Sequence, residues 1–483
     1  MPDDKSLNTD QFHKDLLGLS RMRRRSLKGT RDVEAATSSA RRNDLAPDLE
    51  LRMVPPASLT ASLYRTRKTT ADQLARVCDS IRAFGISRPI AVDGKGEVID
   101  GHIVLEAAFK LGLEEVPVIV CKHLAPTQVR QLRLAFNRIA EKGEWDLDAL
   151  KLEFEALIEL EADIEITGFS KAEGDIILLS TEPTVDTVEE PDRDAEPVSQ
   201  PGDVWMAGPH LIVCGDARFP ETYQVGLSGE IQAVVADFPY NVPIGGNVSG
   251  LGKTKHKEFV MASGEMSREE FATFLEATFV TIRSFLAKSA VFFAFIDWRS
   301  VDQMYAAGQK AGLKLINLIV WSKGSGAMGS MYRSAHELIV MFCNGDRPRV
   351  NNVQLGKSGR DRTNVWEAAG ANRRGSSANL MLQSHSTPKP VELCIDAILD
   401  VTNRGETVLD PFLGSGTTLI ASHRCGRVCV GIELDPQYVD VCLRRWHDES
   451  GQEAVLLKTG EAFSTVARKR AAQAAVVEES ADG

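Results

Sequence analysis

The sequence predicts an α/β fold: a doubly wound, mostly parallel sheet with a smaller α/β domain ahead of it. Three observations carry the prediction. Short apolar runs at residues 211–214, 231–236, 290–296, 316–321, 337–342 and 428–434 read as buried strands, with amphipathic stretches such as 268–286 between them. Strands alternating with helices build a sheet covered on both faces. At residues 406–421, a strand ending in Val408 and Leu409 meets Pro411, then Gly414 and Gly416, then a helix opening at Thr417; this is the strand, tight turn and helix of a ligand-binding crossover. Between Thr181 and Asp203 lie eight acidic residues, one basic residue and four prolines, a composition that buries no core and marks a domain boundary.

Taken in order, residues 1–48 form a polar arm with basic residues at Arg21, Arg23, Arg24, Arg25, Lys28 and Arg31. The cluster reads equally as an arm for DNA phosphates and as a solvated tail. Residues 49–165 make the smaller domain. Leu74, Val77, Ile81 and Phe84 share one face of a helix over 69–84. Strands at 89–92 and 97–99 flank a turn at Gly94 and Gly96, and Asp100-Gly101-His102 leads into a helix ending near Gly112. Residues 116–120 are a further strand, and 124–145 and 147–158 are helices. Residues 166–203 are the acidic linker and 204–466 the large domain. Within the latter, residues 241–266 read as a loop over the site, with Lys253, Lys255 and Lys257 either meeting phosphates or solvating the loop. Residues 347–379 carry Arg349, Arg360, Arg362, Arg373 and Arg374 with little apolar periodicity, and 389–401 is a helix. The tail, 467–483, is basic, then Ala-rich, then acidic, and is expected to fray.

Two motifs carry chemistry. The glycine turn leaves the backbone N–H groups of a helix N-terminus facing a ligand. Glu433 ends the next strand 17 residues after Gly416 (433 − 416), with Asp435 just beyond, close to the ~20-residue spacing of a ribose-binding acid. The turn lacks the Lys of a triphosphate-binding loop. The second motif, Asp237-Phe238-Pro239-Tyr240, follows the strand 231–236. Each alone is a common turn.

Together they resemble the amino-directed DNA methyltransferases. That family's catalytic tetrapeptide is Asp-Pro-Pro-Tyr, and its S-adenosylmethionine loop is Asp-Pro-Phe-x-Gly-x-Gly-Thr. The loop from Asp410 to Thr417 matches throughout, and the tetrapeptide departs at Phe238. The tetrapeptide precedes the loop, as in the circularly permuted β group. Cys214-Gly215-Asp216, Trp321-Ser322-Lys323, Tyr332-Arg333, His336-Glu337 and His385-Ser386-Thr387-Pro388-Lys389-Pro390 follow the family pattern in order.

The resemblance covers about residues 200–465 and implies a Rossmann-like, S-adenosylmethionine-dependent DNA methyltransferase. It implies that the cofactor lies after Asp410 along Phe412, Gly414, Gly416, Thr417 and Thr418. Glu433 would hold its ribose hydroxyls, with Asp435 adjacent; Asp216 would sit near its adenine and Lys389 near its amino-acid end. An exocyclic base amine delocalises its lone pair into the ring. The Asp237 carboxylate and the Phe238 carbonyl would accept its N–H groups and free that lone pair. Pro239 stiffens the turn, and Tyr240 stacks on a base flipped from double-stranded DNA. No catalytic Cys is required. Asp at the first position leans towards adenine N6 over cytosine N4. By position, residues 347–379 correspond to the target-recognition region.

The element order of residues 49–165 resembles the N-terminal domain of ParB-like proteins. Ile103 and Val104 stand where that signature has arginines, so the resemblance implies DNA docking or scaffolding rather than nucleotide hydrolysis.

Composition sets outer bounds. A formal net charge of −11 excludes a generally basic coat but not a local basic cleft. The eight cysteines form no paired metal framework; Cys425 and Cys429 read as core thiols of a protein in a reduced cytoplasm. Asp3 and Asp4 do not fit a secretory signal, and no apolar run approaches the ~20 residues that span a bilayer. A homodimer is left open. So are two rivals: a DNA-binding, partition-type protein whose methylase half is inactive, and an RNA or small-molecule methyltransferase.

Overall fold

The computed structural model describes residues 49–62, 67–140, 142–179, 191–192, 195–225, 229–241, 265–324, 332–353, 362–368 and 389–481. The basic cluster at 21–31, Lys253, Lys255, Lys257, Arg360, Arg373, Arg374 and residues 385–388 lie outside them. The chain divides into two compact units, Met1–Trp145 and Asp146–Gly483.

The first unit is a four-stranded sheet with helices. In chain order it runs β1 (Glu50–Val54), α1 (Ala71–Phe84), β2 (Ile90–Asp93), β3 (Val98–Asp100), α2 (His102–Leu111), β4 (Val116–Cys121) and α3 (Pro126–Ala140). The strand order is β1-β4-β2-β3. Only β2 and β4 pair in parallel. Ile90, Val92, Val98, Val116 and Val118 alternate inward and form the core with Leu105 and Ala108 of α2. His102 opens α2 behind Gly101, which adopts φ 93° and whose Cβ position would lie 3.3 Å from Ile90.

The second unit opens with α4 (Leu147–Glu159) and α5 (Lys171–Leu179). Both pack together here: Phe154 and Phe169 meet edge-on at 5.2 Å, and Gly174 sits against Phe154. The unit boundary therefore falls at 145/146, earlier than residue 165. The stretch 166–203 also contains more structure than an extended linker. Asp175 of α5 is buried and accepts from the fully buried Arg427 at 2.8 Å. Near its end, the backbone N–H groups of Val198 and Ser199 donate to Asp440. A buried ion pair at one end and backbone hydrogen bonds to a buried carboxylate at the other thus hold the two ends of this stretch.

The remaining elements are β5 (Val204–Ala207), β6 (His210–Cys214), α6 (Pro220–Gln224), β7 (Ile231–Asp237), α7 (Arg268–Arg283), β8 (Leu286–Ile296), α8 (Val301–Lys310), β9 (Lys314–Ser322), β10 (His336–Cys343) and β11 (Val365–Glu367). There follow α9 (Val391–Val401), β12 (Thr407–Asp410), α10 (Thr417–Arg424), β13 (Val428–Glu433), α11 (Pro436–Ser450), β14 (Val455–Leu456), β15 (Glu461–Ala462) and α12 (Phe463–Ala481). The sheet order is β11-β9-β10-β8-β7-β12-β13-β6-β5-β14-β15. Its centre, β8-β7-β12-β13-β6, is parallel, and the flanks are largely antiparallel. One face buries α7 and α8 through Phe271, Leu275, Phe279 and Met304; another cluster buries α9 through Leu393, Ala397 and Ile398.

The tail does not fray as expected. It is the helix α12, in which Ala, Arg and Lys, all strong helix formers, recur, and Arg470 ties it to Asp203 at 2.5 Å.

Candidate active site

β7 and β12 are neighbours, and the chain leaves them in opposite directions, through α7 to β8 and through α10 to β13. An α/β sheet takes its ligand in the crevice at this reversal, beyond the carboxyl ends of the strands. The register Val408↔Ala233 and Leu409↔Val234 brings the two strand ends within two residues of each other. Asp237, Phe295 and Lys389 therefore line one pocket with Asp410, Phe412, Gly414, Thr417 and Thr418. The cleft between them is shallow and open to solvent, with about 60 Å³ of enclosed volume.

The glycine turn has local causes. Gly416 caps α10 with φ 85°, a left-handed conformation, and a Cβ there would stand 2.6 Å from Cys442 Sγ. The Asp410 carboxylate accepts from Phe412 N at 3.0 Å, and Arg445 donates to the Ser415 carbonyl at 2.9 Å. Glu433 closes the next strand and grips the turn: Oε2 accepts from Gly414 N and Oε1 from Asp435 N, each at 2.8 Å. Burial pushes the carboxyls of both Asp410 and Glu433 up to about 7. Asp435 itself caps α11 through Gln437 N. Gly215 N donates to the Glu433 carbonyl at 2.8 Å, which brings Asp216 beside this strand end, where Arg218 engages its carboxylate at 2.6 Å.

At the tetrapeptide, the Phe238 side chain turns into the core. It stacks on Phe279 at 5.3 Å and meets Phe412 of the glycine turn at 4.9 Å. Asn241 follows with φ 52°, tolerated best by a short polar side chain. Its amide donates to the Met266 carbonyl and accepts from Met266 N, fixing the start of α7 against the turn.

Asp237 stands in a charged cluster. Lys389 Nζ lies 2.9 Å from Asp237 Oδ2, 3.1 Å from Glu337 Oε2 and 3.1 Å from the Tyr240 hydroxyl. The Tyr240 hydroxyl is within donating distance of Asp237 Oδ1 at 3.0 Å and Glu337 Oε2 at 2.9 Å. Lys323 pairs with Glu337 Oε1. Burial works against the Lys389 cation, but Asp237 and Glu337 outweigh it and hold its pKa above the usual value. Burial also opposes the Glu337 anion, yet Lys389 and Lys323 prevail and hold that carboxyl down to about 2. At Asp237 burial wins, and its carboxyl is raised. Burial likewise raises Tyr240 well above the ordinary phenol.

Of the residues singled out from sequence, Asp237, Lys389, Asp410, Phe412, Gly414, Thr417 and Thr418 line the pocket, and Glu433 and Gly416 support it. The three N–H groups of Lys389 are engaged by the cluster around Asp237. Glu337 and Lys323 were visible in the motif string without a role attached. Only a fold that sets β10 beside β8 brings them to Asp237.

The same edge carries an exposed rim. Trp298 is 52% exposed just past the end of β8, and the Arg299 guanidinium lies over its ring at 5.0 Å. Tyr332 and Arg333, both exposed, precede the antiparallel β10 and so emerge at this edge. Among the described residues no cluster could hold a metal ion, and no helix is long and apolar enough to cross a membrane.

Residues 231–444 match the DNA methylase family of N6/N4 amino-methyltransferases. Residues 40–137 match the ParB N-terminal domain, and 148–201 match the ParB-methyltransferase helix-turn-helix domain. Over 153 residues the chain is 31% identical to the "Putative methylase YubD" of Escherichia coli, covering 32% of this chain and 60% of that protein. Over 162 residues it is 29% identical to type II methyltransferase M2.DpnII of Streptococcus pneumoniae, covering 31% and 59%. The chain thus spans about 60% of the length of the curated relatives it matches. A solved structure of a DNA modification methylase (named putative) from Thermus thermophilus, complexed with S-adenosyl-L-methionine, shares 22% identity at a TM-score of 0.37, covering 50% of this chain and 94% of that one. Residues 231–444 thus carry an N6/N4 DNA methylase domain, with ParB-type domains ahead of it.

Proposed function

We propose that this protein methylates double-stranded DNA at an exocyclic base amine, adenine N6 ahead of cytosine N4, with S-adenosylmethionine as methyl donor. The observation that carries the reading is the shared pocket: Asp237 and the glycine turn, 173 residues apart in sequence (410 − 237), line it together at the sheet's reversal point.

The donor set suits the cofactor. The Glu433 carboxylate keeps acceptor capacity after its two backbone N–H bonds, so it can take ribose hydroxyls. Phe412 and Phe295 offer apolar walls, and the carboxylates of Asp410 and Asp237 favour a cationic ligand. Bound there, S-adenosylmethionine supplies an electrophilic methyl group on its sulfonium.

The chain's own contribution is alignment and charge. Asp237 is a third exposed at the pocket, so its carboxylate can accept an N–H from a base amine. The Phe238 carbonyl is the second acceptor, held by a side chain anchored between Phe279 and Phe412. The Tyr240 ring covers the flipped base, and holding nitrogen and methyl in line accounts for most of the rate. Leaning towards adenine rests on Asp at the first position of the tetrapeptide. The matched DNA methylase and ParB-type domains support DNA over RNA. The exposed Trp298 and Arg299 at the cleft rim supply stacking and phosphate-binding chemistry.

The test is incubation of the full chain with labelled S-adenosylmethionine and duplex DNA, RNA or no nucleic acid, followed by base analysis of the product. DNA labelling as N6-methyladenine is expected. Asp237→Ala should cut the rate by about 10³-fold while cofactor binding persists. Labelling of RNA alone, or full activity in the variant, would refute the reading.

A further inference from the structure

The pocket holds a second buried carboxylate for which methyl transfer, as described, has no use. Glu337 lies at the start of β10, on the far side of β8 from Asp237, yet the two side chains meet through Lys389, whose ammonium sits 5.8 Å from the Phe295 ring centre on β8. Proton counting shows how tightly the group is balanced. Lys389 has three N–H groups and three acceptors in reach, at 2.9, 3.1 and 3.1 Å, so its capacity is filled. Tyr240 has one O–H and two carboxylates in reach, at 3.0 and 2.9 Å, so it donates to one at a time. Two ammoniums, Lys389 and Lys323, face two carboxylates.

A base amine arriving at Asp237 meets a carboxylate already engaged by the Tyr240 hydroxyl and by the Lys389 ammonium, a charged donor that outcompetes a neutral amine for it. Glu337 is the acceptor to which both can turn without leaving the pocket. Tyr240 needs only to rotate its O–H, and Lys389 already touches Glu337 Oε2. We infer that Glu337 is a positioning residue that draws Lys389 and the Tyr240 hydroxyl off Asp237 when the target amine enters. The inference rests on the methyl-transfer reading of Asp237. Glu337 has two cationic partners, Lys389 and Lys323, whereas Asp237 has Lys389 alone.

Removing the charge at Glu337 leaves Lys389 with Asp237 as its one anionic partner, closing Asp237 to the amine. In Glu337→Gln, kcat should fall about 100-fold with KM for S-adenosylmethionine within about threefold of the parent. In Glu337→Gln combined with Lys389→Gln, the competing cation is gone, and kcat should recover by about tenfold over the single variant. A merely structural Glu337 predicts no such recovery. Melting curves and calorimetric binding of S-adenosylmethionine verify that each variant folds. If the amide variant does not fold, the similarly sized and uncharged Glu337→Met, with and without Lys389→Gln, carries the same comparison. An unchanged kcat in Glu337→Gln, or a double variant no faster than the single one, overturns the inference. Asp237→Ala is assayed alongside. If the parent fails to label DNA, or Asp237→Ala labels it fully, the methyl-transfer reading itself fails and the inference falls with it, an outcome distinct from the kinetic ones.

Discussion

At the scale of single residues, Glu433 joins the glycine turn to the strand beside it, and its titration can be read from outside. Burial raises its carboxyl from the ordinary 4.5 to about 7. In that window the folded protein without ligand keeps a proton that the unfolded chain releases. This contribution to stability is complete below about pH 4.5 and is lost as pH rises through 7. In the proposed reading cofactor binding runs the other way, because the ionised carboxylate is the better acceptor for ribose hydroxyls. Affinity for S-adenosylmethionine, measured by calorimetry, should therefore rise between about pH 6 and pH 8. Glu433→Gln should flatten that rise and weaken binding by about tenfold or more. Glu433 was legible in the sequence because its spacing from the turn is fixed by one crossover. Phe238 was visible only as a departure from the family's proline. Its use as an aromatic wedge between the two motifs depends on α7 and the glycine turn converging on it, which no local pattern encodes. Glu337 and Lys323 were hidden for the same reason.

At the scale of elements, strands with apolar runs and helices with one apolar face were readable, and their ends moved by a few residues. What local pattern missed was held by partners far away. β14 and β15 have two residues each, too short for any period to show. α12 has helix-forming composition without a pronounced apolar face, and α5 lies next to an acidic stretch that suggests an open tether. α5 is anchored by Asp175, whose carboxylate meets Arg427 at 2.8 Å and Arg404 at 3.6 Å, with Arg427 also donating to the Thr402 and Cys425 carbonyls. Removing one partner of a buried pair strands the other charge. Asp175→Ala should cost about 3 kcal/mol or more and lower the melting temperature by roughly 10 °C, as scanning calorimetry would show. A shift under about 2 °C would mean that α5 is not braced in this way.

At the scale of the whole molecule, a chain with net charge −11 must concentrate its attraction for DNA locally. In the proposed reading, Trp298 and Arg299 belong to that local surface. Trp298→Ala should weaken duplex binding by about tenfold at fixed salt while leaving S-adenosylmethionine affinity unchanged, as titration of a labelled duplex would reveal. Equal DNA affinity in the variant would remove the rim from the interface. The sheet's central order was foreseeable from alternating strands and helices, whereas the antiparallel flanks depend on pairings that apolar runs alone do not specify.

The ion pair between Asp203 and Arg470 has a topological meaning. It clasps the entry to the strand that begins the large sheet to the helix that follows its last strand, so both ends of the sheet-bearing segment arrive at one place. A short splice across that clasp, with a new opening cut in a surface connection elsewhere, would leave every strand neighbour as it is. Which motif is read first along the polypeptide is then an accident of where the ring was cut, and the reacting groups are indifferent to it.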